Sequence, residues 1–201
     1  MLILVRHGQT AVNAEGRLQG RIDVPLTDVG RRQAEAASSR LPDDVARVVT
    51  SPLLRARQTA DAFGLDASVP VDVDERWIEL DYGEWDGRPL QSLASAGWDA
   101  WRADPAYAPP GGESLVAVAA RVRSACDDLA EEARESTIVV VSHVSPIKAA
   151  VAWALDVGPS TSWRMFLDVA AICRIAVGAT GPSLTSYNSV AHLTARAPHQ
   201  P

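Results

Sequence analysis

Two stretches of this chain leave little choice of fold. Residues 2–5 read Leu-Ile-Leu-Val and residues 138–141 read Ile-Val-Val-Val, with no polar side chain in either run. A strand with one wet face alternates apolar and polar; a strand apolar at every position is buried on both faces, as in a parallel sheet covered by helices. The segments between the runs supply candidate helices. Thr27 is a good N-cap, and Arg31, Gln33, Ala34, Ala37 and Leu41 continue a helix that stops near Pro42. Ser51-Pro52 opens another, with Pro52 expected at the first helical position, where its missing N–H costs nothing. Leu115, Val118, Ala119, Val122, Cys126, Leu129 and Ala133 recur at helical spacing and predict a long helix over 114–134. A last helix is expected over 146–155.

Further strands are expected at 47–50, 69–74, 170–177 and 184–187. Strands alternating with helices predict an α/β fold, a three-layer α/β/α sandwich on a mostly parallel sheet. The last two runs have no helix between them, so they are expected to form an antiparallel edge. The chain's 201 residues fit one domain, 1–201. Residues 88–112, rich in Trp, Gly and Pro, read as an insertion over the sheet's end, and 195–201 as a flexible tail.

Composition excludes several function classes. Acidic residues number 25 against 19 basic ones, and the net charge of -6 argues against nucleic acid as a partner. No apolar run approaches the roughly 18 to 20 residues of a membrane span. The first residues lack the basic flank and small-residue cleavage site of a signal peptide and read as a buried strand. Cys126 and Cys173 stand far apart with no CxxC pair, so neither a disulfide framework nor a zinc ribbon is expected, and a cytoplasmic protein is the default. Of the 19 basic residues only Lys148 is a lysine; the rest are arginines, the side chain suited to planar recognition of phosphate or carboxylate.

In open α/β sheets ligands bind beyond the carboxyl ends of the strands. His7 follows the first apolar run and His143 the run at 138–141; Arg6 adjoins the former, and Arg55 follows the strand at 47–50. Taken singly, each has a bland explanation, since a strand-end histidine is often structural and an arginine on a helix is usually solvated. Together, two imidazoles and two guanidiniums on one rim suit a phosphoryl group.

The wording of these segments is more specific than their placement. Arg6-His7-Gly8-Gln9-Thr10 with Asn13, the run from Arg17 through Gln19-Gly20 to Thr27, Ser51-Pro52-Leu53-Leu54-Arg55, Glu79-Leu80-Asp81-Tyr82-Gly83-Glu84, Gly111-Gly112-Glu113-Ser114 and Ser142-His143 follow one another in order. In this the chain resembles the histidine phosphatase superfamily, on the branch of phosphoglycerate mutase-like proteins that includes ribazole-phosphate phosphatases. The resemblance implies the phosphoglycerate mutase-like fold. It also implies a phosphatase acting on a small phosphorylated metabolite without metal or cofactor: His7 would be the nucleophile that carries the phosphoryl group, Glu79 the general acid and base, and Arg6, Arg55 and His143 the groups that hold the non-bridging oxygens. Asn13, Gln19, Gly20 and Val144 are the expected substrate-binding positions. Members commonly have glycine after the second histidine; Val144 adds bulk there, although its N–H at a helix N-terminus can still point at phosphate.

Asp81 is a rival for the acid. The tryptophans Trp77, Trp85, Trp98, Trp101, Trp153 and Trp163 read as core or lid packing, with Trp98 and Trp101 at helical spacing and able to cap the pocket. Lys148 either reaches a substrate or is solvated, with solvation the expected state, and His192 and His199 are expected to have no role. Two other functions compete: a cofactor-dependent phosphoglycerate mutase, which the short 88–112 segment disfavours, and an inactive domain that binds a phosphorylated ligand. The final strands offer an edge for a homodimer.

Overall fold

The computed structural model describes residues 1–95 and 97–193; the tail at 195–201, with His199, lies outside the described residues. Six strands form one sheet: β1 (Leu2–Arg6), β2 (Val45–Thr50), β3 (Val71–Val73), β4 (Thr137–Ser142), β5 (Ile172–Gly178) and β6 (Gly181–Ser189). Their order is β3-β2-β4-β1-β5-β6. The first four run parallel, while β5 is antiparallel to both β1 and β6. The antiparallel pairing expected of the last two runs is therefore a hairpin at one edge, with β6 outermost.

Seven helices join the strands among the described residues: α1 (Ala11–Ala14), α2 (Asp28–Ser38), α3 (Leu54–Asp61), α4 (Trp98–Ala103), α5 (Leu115–Ala130), α6 (Glu132–Glu135) and α7 (Val144–Ala154). The side-chain alternation of the strands divides the core in two. Leu2, Leu4, Ile138 and Val140 pack with Val122 and Cys126 of α5 and Ile147 and Val151 of α7. Ile3, Val5, Val139 and Val141 point the other way, onto Ala37 of α2 and Ala56 and Ala60 of α3. That is the three-layer sandwich, and it explains why residues 2–5 of β1 and 138–141 of β4 carry no polar side chain.

Helix boundaries differ from expectation at four places. α2 ends at Ser38, three residues before Leu41. α3 begins at Leu54, past Pro52, because its first donors are met from outside the helix: Ser51 Oγ accepts from the Leu53 N–H at 3.3 Å and Asp23 Oδ1 from the Leu54 N–H at 2.8 Å. The long helix is broken at Glu131 into α5 and α6. α7 starts at Val144, two residues before Pro146, with His143 as its N-cap.

Parallel pairing aligns the carboxyl ends of three central strands. Arg6 lies opposite Ser142, and Thr50 opposite Val141. The backbone continues the ladder past the strands, His7 donating to the Ser142 carbonyl and Ser51 to that of Val141, each at 3.0 Å. His7, Ser51 and His143 are thereby fixed at one rim. The turn after β1 passes so close to α2 that a Cβ on Gly8 would lie 2.3 Å from the Gly30 carbonyl oxygen, and one on Gly30 would lie 2.1 Å from that of Gln9. Any side chain at either position would push the loop after His7 and α2 apart.

Candidate active site

His7 is buried, and its Nδ1 lies 2.7 Å from the Gly8 carbonyl oxygen. A carbonyl only accepts, so Nδ1 carries the proton and Nε2 holds the lone pair. Burial, then the guanidiniums of Arg55 and Arg6, hold this imidazole well below the usual histidine pKa. The ring centroid of His143 is 5.1 Å away. Burial and the same arginines, with His7 itself, push His143 down as well. His143 Nε2 lies 2.7 Å from Ser51 Oγ, and its Nδ1 has no partner in the described structure.

Arg55 is 0% exposed, a position a cation occupies only when its donors are met. Nη1 donates to the Ile22 carbonyl at 2.9 Å and Nη2 to that of Gly20 at 2.8 Å. Burial lowers its pKa to about 10. Arg6 donates through Nη1 to the Leu167 carbonyl at 2.7 Å. The Nε atoms of both arginines are buried without a protein acceptor. Together with His143 Nδ1, three buried nitrogens beside His7 therefore lack a partner.

Glu79 is 3% exposed and lies across the N-terminus of α7. Its Oε1 accepts from the N–H groups of Leu80 at 2.8 Å and Ser145 at 3.1 Å, and its Oε2 from Val144 at 3.0 Å. The Val144 N–H expected to point at phosphate is thus engaged with this carboxylate: the helix N-terminus supplies fixed positive potential, and the nearest anion to receive it is Glu79. Asp81, the rival acid, receives the Gly83 N–H at 2.8 Å and does not line the cavity.

The site opens into a cavity of about 410 Å³ lined by Arg6, His7, Asn13, Gln19, Glu79 and Val144, and beyond them by Tyr82, Trp98, Trp101, Trp163 and Lys148. Arg55, His143 and Gly20 do not line it; the first two lie beneath, against His7. Gly20 instead serves Arg55 through its carbonyl, and a Cβ there would lie 2.6 Å from the Leu80 carbonyl oxygen. Gln19 bridges Thr10 Oγ1 at 2.6 Å and the Ile22 carbonyl at 3.2 Å. Asn13 Oδ1 closes a capping box on Thr10 at the start of α1. Lys148 is not solvated as expected: three-dimensional packing turns it inward, Nζ donates to the Ser162 carbonyl at 3.1 Å, and burial lowers its pKa to about 8. His192 also has a partner, its Nε2 lying 3.0 Å from the Ala170 carbonyl oxygen, next to the N–H that Ala170 gives to His7.

Two contributors escaped the sequence reading. Asp86 accepts the N–H groups of Gly20, Arg21 and Ile22 at 2.7, 2.8 and 2.9 Å, and so shapes the loop whose carbonyls hold Arg55. Arg121 donates to the carbonyls of Arg76 and Glu79 at 2.6 and 3.3 Å. In the sequence Asp86 is one of several acids close to Glu79 and Arg121 one of the arginines of the long helix, and no spacing marks either.

The model of the histidine phosphatase superfamily (branch 1) matches residues 2–190. Over 187 residues the chain is 37% identical to a protein of Mycobacterium tuberculosis named as bifunctional; the match covers 90% of this chain and 51% of that one, so the chain spans about half of that relative's length. It is 36% identical over 173 residues to a glucosyl-3-phosphoglycerate phosphatase of Mycolicibacterium vanbaalenii, covering 81% of this chain and 76% of the relative. The structure of an Entamoeba histolytica phosphoserine phosphatase in complex with 3-phosphoglyceric acid superposes with a TM-score of 0.86 at 28% identity, covering 95% of this chain and 98% of the other.

Proposed function

This chain belongs to the histidine phosphatase superfamily (branch 1), and from that premise we propose that it is a phosphomonoesterase that releases phosphate from a small phosphorylated metabolite through a phosphohistidine on His7. The observation that carries the reading is the state of His7: one ring nitrogen is committed to the Gly8 carbonyl, and burial beside two guanidiniums keeps the other unprotonated. A neutral imidazole with a fixed tautomer is a ready nucleophile.

In the first step the Nε2 lone pair attacks phosphorus. The N–P bond forms as the ester P–O bond breaks, and the electron pair leaves with the alcohol oxygen. Arg6, on the cavity lining, and Arg55 and His143, packed beneath His7, are the groups that would hold the non-bridging oxygens: each keeps one nitrogen without a protein partner, and donors fixed beforehand cost no reorganisation. Ser51 Oγ accepts the Leu53 N–H and has its own proton to offer His143 Nε2; donated there, it would leave the ring's proton on Nδ1, where it can serve. The departing oxygen takes a proton from Glu79, whose carboxyl lines the cavity with His7. In the second step Glu79 accepts a proton from water, the water oxygen attacks phosphorus, and the N–P electron pair returns to Nε2. Asn13 remains a candidate substrate donor through its amide; Gln19 and Gly20 act by shaping the loop at 20–22.

No step uses a metal, so the reaction is expected to run in EDTA. The test is rapid quenching during turnover of a labelled phosphomonoester. An acid-labile, base-stable phosphoenzyme, absent from His7→Ala, supports the reading. No phosphoenzyme and no phosphate release across a broad panel would leave an inactive phospho-ligand-binding domain, and transfer to the alcohol faster than to water would make the chain a mutase. We place the protein in the cytoplasm, a reading supported by two cysteines present as free thiols. Among the described residues no helix is long and apolar enough to cross a membrane. A homodimer would use the β6 edge, and sedimentation decides it.

A further inference from the structure

The walls of the active-site cavity are unlike its floor. Opposite His7, three indoles meet edge to face: Trp101 and Trp163 centroids are 4.4 Å apart at 87°, and Trp98 lies 5.0 Å from Trp101 and 5.8 Å from Trp163. They come from two segments, α4 and the turn at Pro159–Arg164, far apart in sequence. Leu90 and Phe166 join them on the cavity lining and are 48% and 49% exposed, so the apolar wall runs to open solvent.

Polar recognition groups are scarce on that wall. Gln19 is tied at both ends of its amide. Arg17 is held by Glu15 at 2.9 Å and by the Gly87 carbonyl at 3.0 Å. Lys148 has one of its donors on Ser162, and its charge faces that of Glu79. A polyol would find chiefly Asn13, Ser145 and Ser162 for its hydroxyls, and a substrate with several further anions would find two cations, Arg17 and Lys148, each with an anion already beside it. An unpaired polar group enclosed against apolar side chains is penalised, whereas apolar surface gains on entering.

Building on the phosphatase reading, we propose that the substrate is a phosphomonoester of an apolar alcohol, with an aryl or alkyl body packed against Trp98, Trp163 and Phe166. Sugar phosphates and phosphorylated hydroxy acids are poor substrates on this view.

Primary alkyl phosphates test this without changing the chemistry of the leaving oxygen. Along ethyl, propyl, butyl and hexyl phosphate, kcat/KM is expected to rise about threefold to fourfold per methylene, the burial of one CH2 group converted to a rate ratio. Benzyl phosphate should exceed glycerol phosphate, phosphoserine and 3-phosphoglycerate by well over tenfold. Phe166→Ser and Trp98→Ala should bring the benzyl-to-ethyl ratio toward one, mainly through KM, and Trp98→Phe should preserve it. Circular dichroism on each variant separates lost selectivity from lost folding. A flat alkyl series, or a preference for glycerol phosphate or 3-phosphoglycerate, would overturn the apolar assignment while leaving the phosphatase intact. Failure to form phosphoenzyme from any of these esters would instead remove the phosphatase reading itself.

Discussion

Arg121 and Glu113 are joined through two parallel hydrogen bonds, Nε to Oε1 at 2.8 Å and Nη2 to Oε2 at 2.9 Å, with both side chains only 18% exposed. The pair braces α5 against its own N-terminal approach, and the remaining donor capacity of Arg121 falls on the carbonyls of Arg76 and Glu79. The backbone that presents the Glu79 carboxyl to the cavity is thus held from behind by a guanidinium. Arg121→Gln removes the fork and leaves Glu113 half-paired. Stability should fall by about 1–3 kcal/mol, and kcat should drop with KM little changed, because the acid is displaced while the phosphate-holding groups stay. Urea titration and steady-state kinetics read the two effects. A coupling energy near zero in the Arg121→Gln, Glu113→Gln double-mutant cycle would contradict the pairing.

Asp86 acts one step further from the reaction. Its two oxygens collect three N–H groups from Gly20 to Ile22, and two carbonyls of that turn hold Arg55. Asp86→Asn replaces one acceptor oxygen by an NH2 that faces donors. The loop must shift, and Arg55 with it. A displacement of this size at a phosphoryl-holding group should cost about tenfold to a hundredfold in kcat. Far-UV circular dichroism should be unchanged, since no strand or long helix depends on the turn. Wild-type kcat in Asp86→Asn would show that Arg55 is held without it.

These two residues also show where the sequence stops being readable. The apolar runs of β1 and β4 announce a two-faced strand, and the parallel register then carries Arg6, His7 and His143 to one rim; that part of the site follows from hydrophobic periodicity alone. Arg55 is legible from its place after β2, but its complete burial is not, because the carbonyls that receive it belong to a loop more than thirty residues earlier. Asp86 and Arg121 bond to backbone groups of distant segments, and such bonds impose no residue spacing. Lys148 misled for the opposite reason. A lone lysine on a helix is normally solvated, yet α7 is covered on nearly every side, and only the turn carrying Ser162 shows which way the amine goes. The meeting of Trp98 and Trp101 with Trp163 likewise depends on tertiary packing between segments some sixty residues apart.

Cys126 and Cys173 are both 0% exposed, and burial pushes the Cys173 thiol up to about 11 and that of Cys126 higher still. Thiolate is the reacting form, so both should be inert. In native protein a chromogenic disulfide reagent should label neither within the time that labels a free thiol completely, and both should react at once in denaturant. Rapid labelling of one native thiol would mean that α5 or β5 opens far more readily than its packing suggests.

Stability should also fall through the mildly acid range, and the sign is set by two imidazoles. His7 and His143 are held well below the ordinary histidine value, first by desolvation and then by the arginines around them. In the unfolded chain both titrate near 6.5. Above that pH the rings are neutral in both states and contribute no pH dependence. Below it the unfolded chain binds two protons that the folded chain refuses until its own lower pKa values are reached. Unfolding is therefore favoured as pH drops, by up to about 1.4 kcal/mol per pH unit for each ring. Urea midpoints should fall slightly between pH 7.5 and 6.5 and by clearly more between pH 6.5 and 5.5. His143→Gln should reduce the slope, since one refused proton is gone while that of His7 and the smaller contribution of His192, also lowered by burial, remain. Equal midpoints at pH 6.5 and 5.5 would show that neither ring refuses its proton in the fold, and a protonated His7 could not be the nucleophile.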